Sequence, residues 1–481
     1  MSSTSRTGVR EMSGADVVIM GLGQHGGGAA SARYCAEAGA RVTVTDLRNE
    51  RELAASVEQI GDLPIRFVLG RHEPDDFRRA DIVVKNPAVP RSAPLLQTAR
   101  RIETDISLFF DAFHGPIYAI TGTKGKSSTA AALHHVFTGV DSRARLGGNI
   151  TVSPLSFVHD LEGDEPVVLE LSSFQLGDLL LTKAGRERRL PGFAASAVTN
   201  IMPDHQDYYS SMEEYAADKA VIFASQPGDR WCVLSQDDEW SRAYRPPHPG
   251  MTLRVTSAPS LPPAGRIAGF DRELGVVRLA ETEAPVVLVT DEARLPGRHM
   301  RTNLLFAGAI GYLSGVAPEV VRARTTSFAG VPHRLETVAA AGGVRYVNDS
   351  AATIAEAAEA AVRSFAEPVH LIAGGSDKGV PLAAFERIAR RTASLHLLTG
   401  SGTERIVQLL NEVRLPFRGP YDDLESAVRA AGSGARPGDV VLLSPGCASF
   451  GMFRNEFDRG DQFRQLARLL TGSEAGDTRK R

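Results

Sequence analysis

Residues 120–135, ITGTKGKSSTAAALHH, place two glycines and a Lys126-Ser127 pair between a β-branched run and a helix-forming tail. Backbone N–H groups at such a turn, together with the helix N-terminus, make an anion site. Lys126 can neutralise phosphate charge, and the Ser127 hydroxyl can ligate Mg²⁺. The loop is tighter than the Walker pattern: Ile120 stands where the first glycine belongs, leaving Gly122-x-x-Gly125-Lys126-Ser127. A carboxylate, Glu170, sits in the apolar run PVVLELSS (166–173). A charge in a buried strand has to be paired or bound to a cation, and the Mg²⁺ held by Ser127 is its natural partner.

Further candidates follow along the chain. In TNIMPDHQDYYSSMEEYAADKAVIF (199–223), Asp204-His205 come after a strand end and Lys219 sits in a helical pattern. Near the start, VVIMGLGQHGGG spells G-x-G-x-x-G with Gly21, Gly23 and Gly26, and Asp46 follows 20 positions later. That is a diphosphate-binding turn, and by itself it invites an NAD-dependent oxidoreductase. Toward the C-terminus lie GVPHRLE (His333, Arg334), VNDSAAT (Asn348, Asp349, Ser350, Thr353), AGGSDKG (Lys378) and SPGCASF (Ser449, Phe450). A guanidinium pairs bidentately with oxyanions, which suits Arg334 to a phosphate. Asp349 can take ribose hydroxyls, while Lys378 and Ser449 can read a small acidic substrate.

The elements that position these groups alternate between strand and helix. DVVIMG, RVTVTD and DIVVKN read as buried parallel strands, each followed by a helical stretch, in a block ending near residue 104. PIYAITG, PVVLELSS and ASAVTNI open a second block. Three short runs, TLRVTS, GVVRLA and PVVLVT, predict an antiparallel subsheet between about residues 251 and 295. A third series, VRYVNDS, VHLIAGG, SLHLLTG and DVVLLSPG, follows GVPHR. The expectation is an α/β chain of three domains, 1–104, 105–330 and 331–481.

Its formal net charge of −3 without a basic stripe argues against nucleic-acid or membrane-surface binding. Cys35, Cys232 and Cys447 are widely spaced, with neither disulfide nor metal spacing. The polar start lacks a signal-peptide core and no run is long enough to span a bilayer, so a cytoplasmic protein is expected.

Taken together and in this order, the motifs resemble the Mur ligases of peptidoglycan synthesis, and the wording LSSFQL and GVPHRLE resembles the glutamate-adding branch. The resemblance runs from about residue 15 to 470. It implies a Rossmann-like UDP-binding domain, a central P-loop-type ATPase domain and a Rossmann-like C-terminal domain that binds glutamate. The implied reaction adds D-glutamate to UDP-N-acetylmuramoyl-L-alanine through an acyl phosphate, using ATP and two Mg²⁺ ions, in a cytoplasmic monomer. Carried over residue by residue, the ATP site comprises Gly122, Thr123, Lys124, Gly125, Lys126, Ser127, Ser128, Asn303, Arg334 and Asp349. Ser127 and Glu170 match the first metal site, and His205 with a carbamylated Lys219 the second. Gly23, Gln24, His25, Asp46, Arg48, Asn86, Asn149, Ser172 and Gln175 match the UDP-substrate site. Thr353, Lys378, Ser449 and Phe450 match the glutamate site.

Some positions depart from the family's pattern. Ala351 stands for a lysine, Ile354 for an asparagine, Gly451 for an aspartate, Lys124 for an asparagine, and Met300 for the asparagine of an HN pair. The alternatives left open are the same chemistry with L-glutamate or another amino acid, an NAD-dependent oxidoreductase, and a P-loop kinase or nucleotide-regulated binding module.

Overall fold

A computed structural model describes residues 12–472 apart from 25, 150–151, 188–189, 206–207, 247–250, 263–264, 294, 296, 378–381 and 450. It divides into two compact units, Met1–Ala293 with Arg298–Phe328, and Arg294–Gly297 with Ala329–Arg481. The first unit carries two sheets and the second carries one.

The first sheet contains β1 (Asp16–Met20), β2 (Arg41–Asp46), β3 (Arg66–Leu69), β4 (Ile82–Lys85) and β5 (Ile102–Glu103). Its order is β3-β2-β1-β4-β5, and every pair is parallel. The order reverses beside β1, and doubly wound sheets bind ligands outside the carboxyl ends of the strands at that point. The turn of Gly21–Gly26 lies there. A Cβ on Gly28 would collide with the Leu22 carbonyl, so this glycine lets the helix Gly27–Glu37 pack tightly on β1.

The second sheet is built from β6 (Ile117–Thr121), β7 (Arg145–Gly148), β8 (Val167–Glu170), β9 (Ala195–Val198), β10 (Trp231–Ser235), β11 (Thr252–Val255), β12 (Ile267–Asp271), β13 (Leu274–Arg278) and β14 (Val286–Val289). Its order is β14-β13-β12-β11-β10-β9-β6-β8-β7. Strands β6, β8 and β9 are buried along their whole length, as expected for parallel strands covered on both faces. The expected antiparallel subsheet is corrected in one respect. TLRV, now β11, runs parallel to both neighbours, and the antiparallel part is β12–β14. The strand IAGFD escaped notice because the two-residue connection Arg272-Glu273 to β13 carries no Gly or Asn. Arg272 instead adopts a left-handed φ of 55°.

The third sheet orders β15 (Glu336–Ala341), β16 (Val344–Asn348), β17 (Val369–Gly374), β18 (Ser394–Leu398), β19 (Arg418–Tyr421) and β20 (Val440–Leu443) as β15-β16-β20-β17-β18-β19. The sheet is parallel except for the β15–β16 hairpin, which turns on Gly342 and Gly343, both at positive φ. Two glycines there satisfy a tight turn that other residues enter only under strain. Among the described residues no helix is long and apolar enough to cross a membrane.

Candidate active site

Strand β6 runs straight into the phosphate loop. Gly122 and Gly125 both take positive φ, 149° and 83°, and a Cβ on either would strike Thr199 Oγ1 or Asn303 Oδ1 respectively. The loop is gripped from the end of β9, by two residues that sequence reasoning did not single out. Thr199 Oγ1 and Asn200 Nδ2 donate to the Lys124 carbonyl at 2.6 and 2.9 Å. Asn200 Oδ1 accepts from Lys124 N at 2.9 Å, and Thr123 N donates to the Asn200 carbonyl at 2.8 Å. Their sequence signal is a hydroxyl and an amide directly after an apolar strand. The amide matches the backbone polarity of the neighbouring turn.

Two lysines converge on this loop. Lys126 Nζ donates to the carbonyls of Gly122 and Thr123, each at 2.9 Å, and Lys219 Nζ donates to Gly122 O at 2.9 Å. Lys219 is only 1% exposed. Burial, and then the nearby charge of Lys126, push its amine down to about 6, so it is mostly neutral at pH 7. Tyr215 backs both members of the second candidate metal pair. Its ring centroid lies 4.5 Å from Lys219 Nζ and 6.2 Å from the His205 ring. Phe174 meets His205 edge-on at 4.9 Å, and His205 itself sits at φ 53°.

Glu170, the last residue of β8, pairs in register with Ile120 two positions before the loop. Its Oε1 accepts from Asn149 Nδ2 at 3.1 Å, whereas Oε2 is buried without a hydrogen-bond partner. A buried carboxylate oxygen with no donor is costly unless a cation reaches it. Glu170 and the Ser127 hydroxyl are hard oxygen donors of the kind that, with phosphate oxygens and water, would suit Mg²⁺. Among the described residues no three His, Cys, Asp or Glu side chains converge. An ion held by one carboxylate and substrate phosphates needs no such cluster.

The remaining expected residues of this unit are placed as follows. Asn303 abuts Gly125, and Ser128 Oγ and Asn303 Nδ2 both approach Met300 Sδ, at 3.9 and 3.8 Å. Ser172 and Gln175 form a reciprocal capping box that starts the helix Ser173–Asp178 just beyond Glu170. At the first sheet, Asp46 uses one carboxylate oxygen for Gly23 N at 3.1 Å and the other for Arg48 N at 2.9 Å. It therefore locks the glycine turn to the end of β2. Gln24 Nε2 donates to the Glu52 carbonyl, and Asn86 Oδ1 accepts from Ala88 N. His25 lies outside the described residues.

A largely buried ionic network ties the first sheet to the helices Ser173–Asp178 and Met212–Ala220. Lys85 pairs with Asp178, both with fully buried side chains, and Arg91 Nε donates to Asp178 Oδ1 at 3.0 Å. Arg91 also pairs with Asp218, which accepts from Tyr209 OH at 2.9 Å and immediately precedes Lys219. Arg91 thus joins the helix after Ser172 to the helix bearing Lys219. The lysine inside the apolar run DIVVKN was the sequence signal for it.

The second unit brings together residues at the carboxyl ends of β16 and β20. Asp349 accepts from Ser444 Oγ at 2.7 Å and Leu335 N at 3.1 Å, and burial raises its carboxyl to about 7. Arg334 is exposed nearby in sequence, Thr353 is half-buried, and Ser449 is buried. Lys378 and Phe450 lie outside the described residues. Two departures have a backbone consequence. Ile354 occupies the N-cap of the helix Ala355–Arg363 without a side-chain cap, so losing an asparagine there weakens a helix start. Gly451 sits at φ 96°, where glycine is free of strain.

A fully buried guanidinium braces these loops. Arg459 donates from Nε to Ser350 Oγ and from Nη2 to Ser350 O, both at 2.9 Å, and from Nη1 to Cys447 O at 3.3 Å. Arg459→Met would orphan these acceptors. We expect a loss of about 3 kcal/mol from charge-assisted bonds and stranded carbonyls, read as earlier urea unfolding of this unit. Asp349 adds a pH signature. Its folded value lies above its unfolded one, so the stability it contributes is full below about pH 4 and is lost as pH rises through about 7. Urea unfolding at pH 5 and pH 8 should show a larger drop for the wild type than for Asp349→Asn.

Family models match residues 15–107 (Mur ligase MurD-like, N-terminal domain), 120–311 (Mur ligase middle domain) and 333–447 (Mur ligase, glutamate ligase domain). A UDP-N-acetylmuramoylalanine–D-glutamate ligase from Roseiflexus sp. is 43% identical, with 96% of this chain and all of the relative aligned. Its counterpart from Treponema pallidum is 36% identical over 95% of this chain and 98% of its own length. Among solved structures, the UDP-N-acetylmuramate-alanine ligase of Thermotoga maritima shares the fold at TM-score 0.58 and 18% identity. That alignment covers 95% of this chain and all of the other. By domain content and by full-length relatives alike, the protein belongs to the Mur ligase family.

Proposed function

We propose that this chain joins D-glutamate to UDP-N-acetylmuramoyl-L-alanine at the expense of ATP, through an acyl phosphate. The observation that carries the reading is the meeting, at one glycine-rich loop, of two lysines with a buried glutamate whose Oε2 has no protein partner. A carboxylate is a poor electrophile. Its oxygen becomes a good leaving group once it has attacked the γ-phosphorus and displaced ADP. The glutamate amine then adds to the acyl carbon, and the tetrahedral intermediate collapses with loss of phosphate.

Two anions have to meet in the first step. Lys126 is placed to turn from the loop carbonyls to the phosphates, and the loop N–H groups hold their oxygens. Ser127 and Glu170 would hold one Mg²⁺ ion, and His205 with carbamylated Lys219 a second; bound there, the ions would neutralise negative charge. The neutral amine of Lys219 is the form that takes up CO₂ to give a carbamate. Gly23, Gln24, Asp46, Arg48, Asn86, Asn149, Ser172 and Gln175 serve the UDP substrate in this reading. Asn303, Arg334 and Asp349 serve ATP in the same reading, and Thr353 and Ser449 serve glutamate. The functional division is 1–104, 105–330 and 331–481, in a cytoplasmic monomer.

The test is phosphate release measured with D-Glu, L-Glu, D-Asp, L-Ala and meso-diaminopimelate. Release that requires ATP, Mg²⁺, the UDP substrate and D-Glu together is expected. Release independent of the UDP substrate counts against ligation, and equal use of L-Glu counts against the stereochemistry.

A further inference from the structure

Arg91 reaches two helices at once. Its Nε donates to Asp178 Oδ1 at 3.0 Å and its Nη1 to Asp218 Oδ1 at 3.2 Å, while Nη2 pairs with the other Asp218 oxygen. Asp178 closes the helix Ser173–Asp178, and Asp218 stands directly before Lys219 on the helix Met212–Ala220. Both carboxylates are buried. Lys85 pairs with Asp178 from the other side, and Tyr209 OH donates to Asp218 Oδ2 at 2.9 Å.

A glycine makes room for this bridge. Gly177 lies within the helix Ser173–Asp178, where glycine is a poorer helix former than alanine. A Cβ there would collide with Arg91 Nη2 and with both carboxylate oxygens of Asp218. The helix therefore lacks a side chain where one would displace the guanidinium. Stability is a weak reason for such a network, because apolar side chains of similar volume commonly serve a buried site as well as paired charges do. Fixed geometry is a better reason. A planar fork bound to two carboxylates sets the spacing and rotation of one helix against the other.

We propose that Arg91, threaded past Gly177, is a positioning residue for the ligase reaction, holding the Lys219 helix in the register that places Lys219 Nζ against Gly122 O. Lys219 follows Asp218 directly, so its helix cannot turn or slide without breaking the bonds to Arg91. The inference rests on the ligase reading, in which Lys219 serves the acyl-phosphate step.

The test is steady-state phosphate release by the full chain with ATP, Mg²⁺, UDP-N-acetylmuramoyl-L-alanine and D-glutamate. The folded fraction of each variant is read by circular dichroism in the same buffer. Gly177→Ala keeps every charge but displaces the guanidinium. It should lower kcat about tenfold to a hundredfold per folded molecule, the scale of a small misplacement of a reacting group. The KM values for ATP and the UDP substrate should stay within about twofold, because lost positioning falls on turnover. Arg91→Lys keeps the charge without the fork and should show the same split. In a Lys219→Ala background, Arg91→Lys should cost less than about twofold more, since residues that act as a unit are not additive. A wild type that releases no phosphate with the UDP substrate would refute the ligase reading and this inference with it. With a competent wild type, the inference alone is overturned by a rate loss no greater than the loss of folded protein. A change confined to the KM of the UDP substrate, or additive losses with Lys219→Ala, would overturn it equally.

Discussion

Lys219→Ala should lower turnover on the order of a thousandfold, the scale seen when one group stabilising a developing charge is removed. The side chain is buried beneath the phosphate loop, touches Gly122 O and is held neutral by its surroundings. A neutral lysine amine offers no charge to phosphates. In the proposed mechanism it becomes a carbamate, which would replace the amine tip with a carboxylate-like metal ligand. Short-chain carboxylates diffusing into the space left by the alanine should therefore restore part of the activity, whereas alkylamines should not. Rescue by amines instead would mean that Lys219 acts as a cation, and unchanged turnover would remove it from the site. The measurement is steady-state phosphate release with formate, acetate and propionate added.

Glu170→Gln is expected to reduce kcat by about a hundredfold to a thousandfold and to raise the Mg²⁺ concentration needed for half-maximal rate. The amide keeps the size of the carboxylate and can still accept from Asn149 Nδ2, so the end of β8 stays in place. What is lost is the charge on the oxygen that has no protein partner. A magnesium titration of the variant checks this. An unchanged magnesium requirement would show that the orphaned oxygen faces no ion.

Much of this site was legible because its chemistry is local. Lys126 and Ser127 follow their glycines directly, and Glu170 declares itself as a charge closing an apolar strand. The three α/β blocks were readable for the same reason, since buried parallel strands are written as continuous β-branched runs. Elements held by tertiary partners were harder to see. β12 lacks a conventional turn signal, and β7 is the glycine-rich RLGG, whose place depends on pairing with β8. Thr199 and Asn200 look like ordinary loop residues until β9 is laid beside β6. Lys85, Arg91, Asp178 and Asp218 are scattered over more than a hundred positions, and only the fold joins them into one network. The glycine fingerprint predicts a diphosphate turn, and what the fold adds is that both carboxylate oxygens of Asp46 accept from backbone N–H groups, of Gly23 in that turn and of Arg48. Gly451, a departure from the family's pattern, sits at a left-handed φ that suits glycine, whereas Ile354 leaves its helix without a side-chain cap.

The most direct test of the central claim follows an oxygen atom. If the carboxylate of UDP-N-acetylmuramoyl-L-alanine is phosphorylated before amide formation, one of its two oxygens must leave with the phosphate. Substrate carrying ¹⁸O in that carboxylate, turned over with ATP, Mg²⁺ and D-glutamate, should yield inorganic phosphate containing one ¹⁸O for each amide formed, as read by mass spectrometry. Amide formation accompanied by unlabelled phosphate would contradict the acyl-phosphate route and the roles assigned here to the residues around the loop.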